Sequence, residues 1–272
     1  MTGIEHTQGA TAPPTGSRGG TVLRDTRTAF RRQIIPELRE PVGILFSMAQ
    51  PLLFLAFFGP LLSGFEGFGQ AGTEAAWQWF IPSVLVMMCI FGPMMSGYTL
   101  LTELMGGAME RLLVTPMNRT AMLVGRTMKE SVILLVQALL IIAIGIPLGF
   151  EPHLLGAVLA VLMLVVFATG LSALSAVLAI HAAPSGSLFY IVTQMLMFPL
   201  LLLSGILLPM DAGPQWLQVL SQLNPFTYLA EAQRALFDGA LVDPAVAYGG
   251  LAALAVAVVG LALGTRAMRS AV

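Results

Sequence analysis

The sequence is poor in charged residues and nearly free of cysteine. Only 10% of its 272 residues are charged, whereas soluble domains carry roughly 25%. The single cysteine, Cys89, excludes a disulfide within the chain and a cysteine-rich metal site. A net charge of −1 gives no reason to expect nucleic acid as a partner. With 57% hydrophobic residues and a mean hydropathy of +0.85, the composition predicts an all-α integral membrane protein with little mass outside the bilayer.

The sequence also lacks the motifs by which a protein binds ATP or a metal ion. A phosphate-binding loop needs Gly-Lys-Ser/Thr, because its lysine reaches the terminal phosphates, but the single lysine, Lys129, follows Met128. No His-x-x-x-His or Cys-x-x-Cys pair occurs, and no two carboxylates have catalytic spacing. We therefore predict that the chain is not an enzyme, has no catalytic or metal-binding residue and binds no cofactor directly. Any ATP-driven step would need ATP and Mg on a separate polypeptide.

Six apolar runs are long enough to cross a bilayer, since about 20 apolar residues span its hydrocarbon core. The predicted spans are 41–62, 79–101, 131–149, 154–180, 187–208 and 245–264. None of them contains an acidic residue, a lysine or an arginine. Prolines within them are expected to kink or break the helices locally. These are Pro51, Pro82, Pro93, Pro147 and Pro199.

Basic residues orient this stack of spans. Twelve of the thirteen lysines and arginines fall in residues 1–40, 102–130 and 265–272, and Arg234 is the exception. Positive charge collects in the cytoplasmic parts of membrane proteins. The distribution therefore predicts a multi-pass protein of the bacterial plasma membrane, with both termini in the cytoplasm.

Residues 1–20 and 21–40 differ in character. The first stretch is rich in Gly, Thr and Pro, lacks the apolar core of a signal peptide, and is predicted to be a disordered cytoplasmic tail. The second stretch sets apolar residues among arginines at spacings of four or seven, namely Leu23, Phe30, Ile34 and Leu38. This pattern favours an interfacial amphipathic helix along the lipid headgroups. A solvated charged helix is the alternative.

Residues 209–244 are predicted to form two re-entrant, half-inserted helices at the outer surface before the last span. The polar residues in this stretch argue against a seventh span, and Asn224-Pro225 separates the two predicted helices. Glu231 and Asp238 lie at i−3 and i+4 from Arg234, where they are expected to pair with it. A structural role for Arg234 is therefore favoured over contact with a substrate.

Residues 106–130, GGAMERLLVTPMNRTAMLVGRTMKE, place four basic residues between the second and third spans. Apolar residues at helical spacing predict a cytoplasmic amphipathic helix that ends near Thr115-Pro116. Arg126 and Lys129 are expected to anchor the third span at the headgroups. The alternative is a basic loop to which nothing binds, and the pattern by itself leaves both open.

Two stretches resemble one family of membrane proteins. MERLLVTPMNRTAMLVGR, residues 109–126, is similar to the cytoplasmic segment of ABC-2-type exporter permeases, in particular those of daunorubicin-resistance type. LLLSGILLPMDAGPQWLQVLSQLNPFTYLAEAQRALFDG, residues 201–239, resembles a second segment of the same family. Taken with the spans and the N-terminal helix, the resemblance identifies residues 21–272 as an ABC-2 transmembrane domain.

The resemblance implies two paired permease chains, expected to be identical, and two separate ATPase subunits beneath them that bind ATP and Mg. A cytoplasmic coupling helix would meet each ATPase, and residues 21–40 would be a second contact. The coupling residues carried over are Gly107, Glu110, Arg111, Leu112, Thr115 and Pro116. The outer re-entrant turn carried over comprises Asn224, Pro225, Thr227 and Tyr228. Ala108 stands where the family often has threonine, which predicts a more apolar docking surface.

Three residues within the spans are candidates for a substrate path: Met94, Gln137 and Gln194. Flexible thioethers suit variable hydrophobic ligands, and buried amides can contact cargo or bond between helices. Ordinary packing is the alternative for Met94, and an interhelical hydrogen bond is the alternative for each glutamine. Small residues at Gly170, Gly260 and Gly264 are expected to allow close helix packing.

Together these features predict the permease subunit of an ATP-binding-cassette exporter that moves hydrophobic drug, antibiotic or lipid-like molecules out of the cell. One alternative keeps the architecture but assigns a lipid-linked glycan or glycolipid as cargo. An aromatic content of 8% mildly favours a small cargo. An alternative of another class is a membrane scaffold that transports nothing and recruits a partner through residues 106–130.

Overall fold

The computed structural model describes residues 18–39, 41–63, 72–106, 119–183, 185–207, 210 and 213–270. Within these ranges the chain forms nine α-helices and no β-strand, which confirms the all-α prediction. The helices are α1 (Arg18–Arg39), α2 (Pro41–Ser63), α3 (Gly72–Met105), α4 (Arg119–Gly145), α5 (Leu154–Ala182), α6 (Ser187–Leu203), α7 (Gln215–Ser221), α8 (Pro225–Phe237) and α9 (Pro244–Ser270). A 3₁₀ helix, Ile146–Leu148, follows α4 directly.

Four helices in the described ranges are long and apolar enough to cross a membrane. They cover Glu74–Met105, Thr120–Leu148, Leu154–Ala182 and Pro244–Ser270. Two shorter apolar stretches are also found: Ser47–Leu61, which lies within the 23-residue helix α2, and Ser187–Leu203, which is α6. The second, third, fourth and sixth predicted spans are therefore helices of spanning length, and the first and fifth coincide with α2 and α6.

Several helix boundaries differ from the predicted ones. Helices α3 and α4 begin well before the apolar runs 79–101 and 131–149, because helical hydrogen bonding continues through polar residues once these pack or pair. Helix α6 ends at Leu203 rather than at residue 208. Gly205, with φ +68°, lies two residues beyond it in the left-handed region that favours glycine.

The prolines interrupt regular α-helix at one of the predicted places. Helices continue through Pro51, Pro82, Pro93 and Pro199. Only beyond Gly145 does regular α-helix give way, in the 3₁₀ helix that contains Pro147. Tertiary packing on neighbouring helices stabilises the segments in which proline removes one backbone hydrogen bond.

Helix α5 lies at the centre of the bundle and packs against α3, α4, α8 and α9. Small residues allow this close approach: a Cβ atom on Gly170 would lie 2.5 Å from the backbone nitrogen of Ala257 on α9. On the α3 side, the Ser96 and Ser172 hydroxyls are 2.8 Å apart, and Gly97 N–H donates to Ser175 Oγ at 3.0 Å. The small residues of α5 therefore act in packing, as the sequence predicts.

Helix α1 crosses α4 at a point of close contact. A Cβ atom on Gly125 would lie 2.7 Å from the Ala29 side chain and 2.9 Å from the Phe30 nitrogen. Ala29 and Ile34 are buried, whereas Leu23 and Leu38 are exposed on the outside of the bundle. Helix α1 thus buries one face within the bundle, where it packs on α4, and its position along the lipid headgroups stays a prediction.

Candidate functional site

The turn before α8, which the sequence predicts to lie at the outer surface and which we call the outer turn, is built by the four residues indicated there. Asn224 caps α8, because its Oδ1 accepts from Phe226 N–H at 3.1 Å, and Pro225 opens the helix, where its missing N–H costs nothing. Asn224 Nδ2 donates to the Leu200 carbonyl at 2.7 Å, and Thr227 Oγ1 donates to the Leu203 carbonyl at 3.0 Å. The turn is therefore fastened to the end of α6.

Tyr228 completes this turn. Its hydroxyl donates to the Gln222 carbonyl at 2.8 Å, which ties α8 back to the residues that follow α7. All four predicted turn residues thus take part in one structural unit, with Asn224 buried to 3% exposure.

We expect Asn224→Ala to lower the free energy of unfolding by about 2 kcal/mol, since it removes both a helix cap and the bond to Leu200. Asn224→Ser is the matched control, because serine retains a capping oxygen but is too short to donate to Leu200; about half of the loss is expected. Unfolding of the full chain in lipid nanodiscs measures both. If Asn224→Ala is as stable as the unchanged protein, the hydrogen bonds of Asn224 do not stabilise the attachment of this turn to α6.

Helix α8 runs along one half of α5. Its first turn places the Phe226 ring 4.8 Å from the ring of Phe167, near the midpoint of α5. At its other end, Phe237 lies 5.3 Å from the ring of Phe150, and the Phe237 carbonyl accepts from His153 N–H, just before α5, at 3.0 Å. The helix therefore extends from the middle of the bundle to one end.

Arg234 joins α8 to α3. Its guanidinium donates to Ser83 Oγ at 2.7 Å and to the Gly205 carbonyl at 2.7 Å, and it lies 4.0 Å from the centre of the Trp79 ring. Asp238, a predicted partner, accepts from Gln78 Nε2 at 2.9 Å. The contacts support the structural role predicted for Arg234, but they come from across the bundle rather than from its own helix alone.

A cluster of ion pairs lies where α1, α3 and α4 meet, and we call it the Lys129 cluster. Lys129 Nζ is 3.2 Å from Glu37 Oε2 on α1 and 2.9 Å from Glu130 Oε1. Arg126 is 2.6 Å from Glu103 Oε2 on α3. Arg126 and Lys129 are only 5% and 8% exposed. Carboxylates from three helices thus hold these two side chains inside the bundle, and the anchoring of α4 at the headgroups stays a prediction.

The predicted coupling residues, Gly107 to Pro116, lie outside the described residues. The structure does describe their flanks. Glu103 is in the last turn of α3, and Arg126 is two turns into α4. The Arg126–Glu103 ion pair therefore joins the two helices between which the coupling segment runs.

The three candidate path residues occupy three different places. Gln137 lines a cavity of about 360 Å³ among α2, α3 and α4, which also receives Lys129 and Glu130, and its Nε2 donates to Ser47 Oγ at 2.7 Å. Met94 lines a second cavity, of about 310 Å³, which we call the Met94 cavity. Gln194 is exposed on α6. The structure does not bring these three together, but Pro225 of the outer turn lines the Met94 cavity too.

No pattern in the sequence predicts two features of the site. Lys129 meets a carboxylate 92 residues away, and Thr193, a buried wall residue of the Met94 cavity, stands in an otherwise apolar run. In the part of the chain that the structure describes, no three His, Cys, Asp or Glu side chains come together so that they could hold a metal ion.

Comparison with known proteins agrees with this architecture. Residues 24–237 match the family described as ABC-2 type transporter. A putative transport permease ycf38 of Cyanophora paradoxa is 32% identical over 219 residues, covering 79% of this chain and 75% of that protein. The daunorubicin resistance ABC transporter permease protein DrrB1 of Streptomyces coeruleorubidus is 28% identical over 225 residues, covering 80% and 77%. The probable multidrug ABC transporter permease YbhR of Escherichia coli (strain K12) is 24% identical over 163 residues, covering 59% and 44%.

Proposed function

The chain belongs to the ABC-2 type transporter family, and from this premise we propose that it is the membrane subunit of an exporter for hydrophobic drug, antibiotic or lipid-like molecules. A separate ATPase supplies the energy. The family match carries the proposal, because it extends over residues 24–237 and so includes both the coupling segment and the outer turn. Relatives named for daunorubicin resistance and as a probable multidrug permease support a hydrophobic small-molecule cargo.

In this proposal the chain crosses the bacterial plasma membrane six times with both termini in the cytoplasm. Helices α2 and α6 supply the remaining two spans, α1 lies at the inner headgroups, and α7 and α8 are re-entrant from outside. Two arguments support it. Twelve of thirteen basic residues fall on the side assigned to the cytoplasm, and α8 covers only one half of α5 rather than its full length.

Residues 107–116 transmit the motion of the ATPase in this proposal, and two identical permease chains share two ATPases. A ligand shifts a conformational equilibrium only through contacts that differ between the two states. The segment runs between α3 and α4, which the Arg126–Glu103 pair joins. A displacement of this segment therefore reaches both helices and, through Lys129 and Glu37, also α1.

Purification with the ATPase tests the function. The chain, isolated from native membranes in a gentle detergent, is expected to carry a nucleotide-binding protein whose vanadate-sensitive ATPase activity rises with hydrophobic compounds. The double variant Glu110→Lys with Arg111→Glu preserves the net charge. It is expected to reduce the stimulation of ATPase activity more than tenfold, because reversed charges repel at a docked interface.

Membrane insertion of the double variant is the control. A chain that purifies without any nucleotide-binding partner, under conditions that preserve other such complexes, would refute the transporter proposal and favour a scaffold. Full stimulation of the double variant would refute only the assignment of residues 107–116 as the coupling segment.

A further inference from the structure

The Met94 cavity has the size and walls of a site for a small apolar molecule. Its volume of about 310 Å³ is at the lower end of the range for ligand pockets. Helices α3, α5, α6 and α9 contribute to its lining, together with Pro225 and Phe226 at the start of α8. Along α6 the lining runs from Val192 to Leu200, roughly 12 Å at 1.5 Å per residue. The described lining residues carry no charge, so a charged headgroup would have no partner there.

Two hydroxyl groups lie among the described lining residues, and only one of them is already in use. Ser175 Oγ donates to the Met94 carbonyl and accepts from Gly97 N–H at 3.0 Å. Thr193 is 1% exposed, and its Oγ1 has no hydrogen-bond partner in the described part of the chain. Leaving a buried hydroxyl without a partner is unfavourable, by an amount comparable to one lost hydrogen bond.

Most threonines whose hydrogen bonds are seen on the described helices satisfy their hydroxyls within the same helix. Five of them donate to a carbonyl three or four residues earlier in their own helix: Thr28, Thr102, Thr127, Thr169 and Thr265. Thr193 makes no such bond. Threonine on a helix populates two χ1 rotamers, and because Thr193 is buried in the cavity wall, a bound molecule reaches its hydroxyl when χ1 turns and the neighbouring wall side chains shift.

We propose that the Met94 cavity binds an apolar molecule, of about the size of two fused aromatic rings, through one hydroxyl or carbonyl group that bonds to Thr193. The apolar walls hold the body of the molecule, and the single free hydroxyl selects for a single polar group. This proposal rests on the proposed function in that it takes the bound molecule to be cargo. It also places the cargo against the start of α8, since Pro225 and Phe226 line the cavity.

A matched pair of probes tests the hydrogen bond: 2-naphthol carries a hydroxyl, and 2-methylnaphthalene carries a methyl group in its place. Binding of each to the full chain in lipid nanodiscs is measured by equilibrium dialysis, with empty nanodiscs subtracted. Thr193→Val is expected to weaken 2-naphthol binding roughly five- to tenfold and to leave 2-methylnaphthalene unchanged. Thr193→Ser is expected to restore the affinity for 2-naphthol.

Two controls separate a binding role from a structural one. Thr265→Val removes a hydroxyl that bonds to the Ala262 carbonyl, away from the cavity, and is expected to leave both affinities unchanged. Without a probe, Thr193→Val is expected to be at least as stable as the unchanged protein, because it removes an unpartnered polar group. Leu174→Phe, which adds volume to the cavity wall, is expected to weaken both probes.

The inference fails if 2-naphthol binds Thr193→Val as it binds the unchanged chain, which would point to a lipid acyl chain as the occupant. It also fails if Leu174→Phe alters neither affinity or if neither probe binds. None of these measurements needs the ATPase. If the probes bind as expected but the chain purifies without a nucleotide-binding partner, only the transporter proposal is refuted. If hydrophobic compounds stimulate ATPase activity but Thr193→Val binds 2-naphthol as the unchanged chain does, only the cavity assignment is refuted.

Discussion

Lys129→Met is expected to destabilise the protein by about 3–5 kcal/mol, the usual cost of removing one partner from a buried ion pair. Methionine matches the length and apolar stem of lysine, so the change removes the charge with little loss of packing. The carboxylates of Glu37 and Glu130, both within 3.2 Å of Lys129 Nζ, would then lose their shared cation. The side chain of Glu130 is only 12% exposed, so its carboxylate would lose most, whereas Glu37, at 35% exposure, is partly hydrated.

Two further variants, compared with Lys129→Met, identify the cause of that loss of stability. Arg266→Met removes an exposed positive charge on α9 and is expected to change the free energy of unfolding by less than about 0.5 kcal/mol. Adding Glu130→Gln to Lys129→Met removes the stranded carboxylate and is expected to restore part of the stability. Unfolding in lipid nanodiscs measures all three. If Lys129→Met proves as stable as Arg266→Met, the ion pairs of Lys129 do not hold α1 against α4.

The Lys129 cluster also shows where sequence reasoning stops. Local patterns are sufficient for α8, because the Asn224 cap, Pro225 and the apolar spacing after them lie within one short segment. They are also sufficient for the four long spans, which composition alone identifies. Lys129 and Glu37 are 92 residues apart, and a positive charge near a span end is ordinarily at the headgroups. Only the crossing of α1 over α4 makes their ion pair possible.

The candidate path residues show the same limit. Helical periodicity tells which residues share a face of one helix but not which helix covers that face. Met94 and Gln137 therefore line different cavities, although both sit in apolar spans. Thr193 is an ordinary threonine in the sequence. Its importance comes from a missing bond within the described structure, which no pattern of residue types records.

The second large effect is expected at the crossing of α5 and α9. A Cβ atom on Gly260 would overlap the carbonyl oxygen of Gly170 and lie 2.7 Å from its carbonyl carbon. These are backbone atoms, so no side chain can rotate to make room. Gly260→Ala is therefore expected to force the helices apart and to lower the free energy of unfolding by about 3 kcal/mol, the upper part of the usual range for overpacking.

Gly250 on the same helix provides a matched control. The nearest atom to a Cβ there is the flexible end of Met163, at 4.0 Å. Gly250→Ala is therefore expected to stabilise the protein by about 0.5 kcal/mol, since alanine has less backbone freedom to lose and is the better helix former. The same substitution at two positions ten residues apart on one helix should thus change the free energy of unfolding in nanodiscs in opposite directions. Equal effects at the two positions would mean that α5 and α9 do not touch backbone to backbone at Gly170.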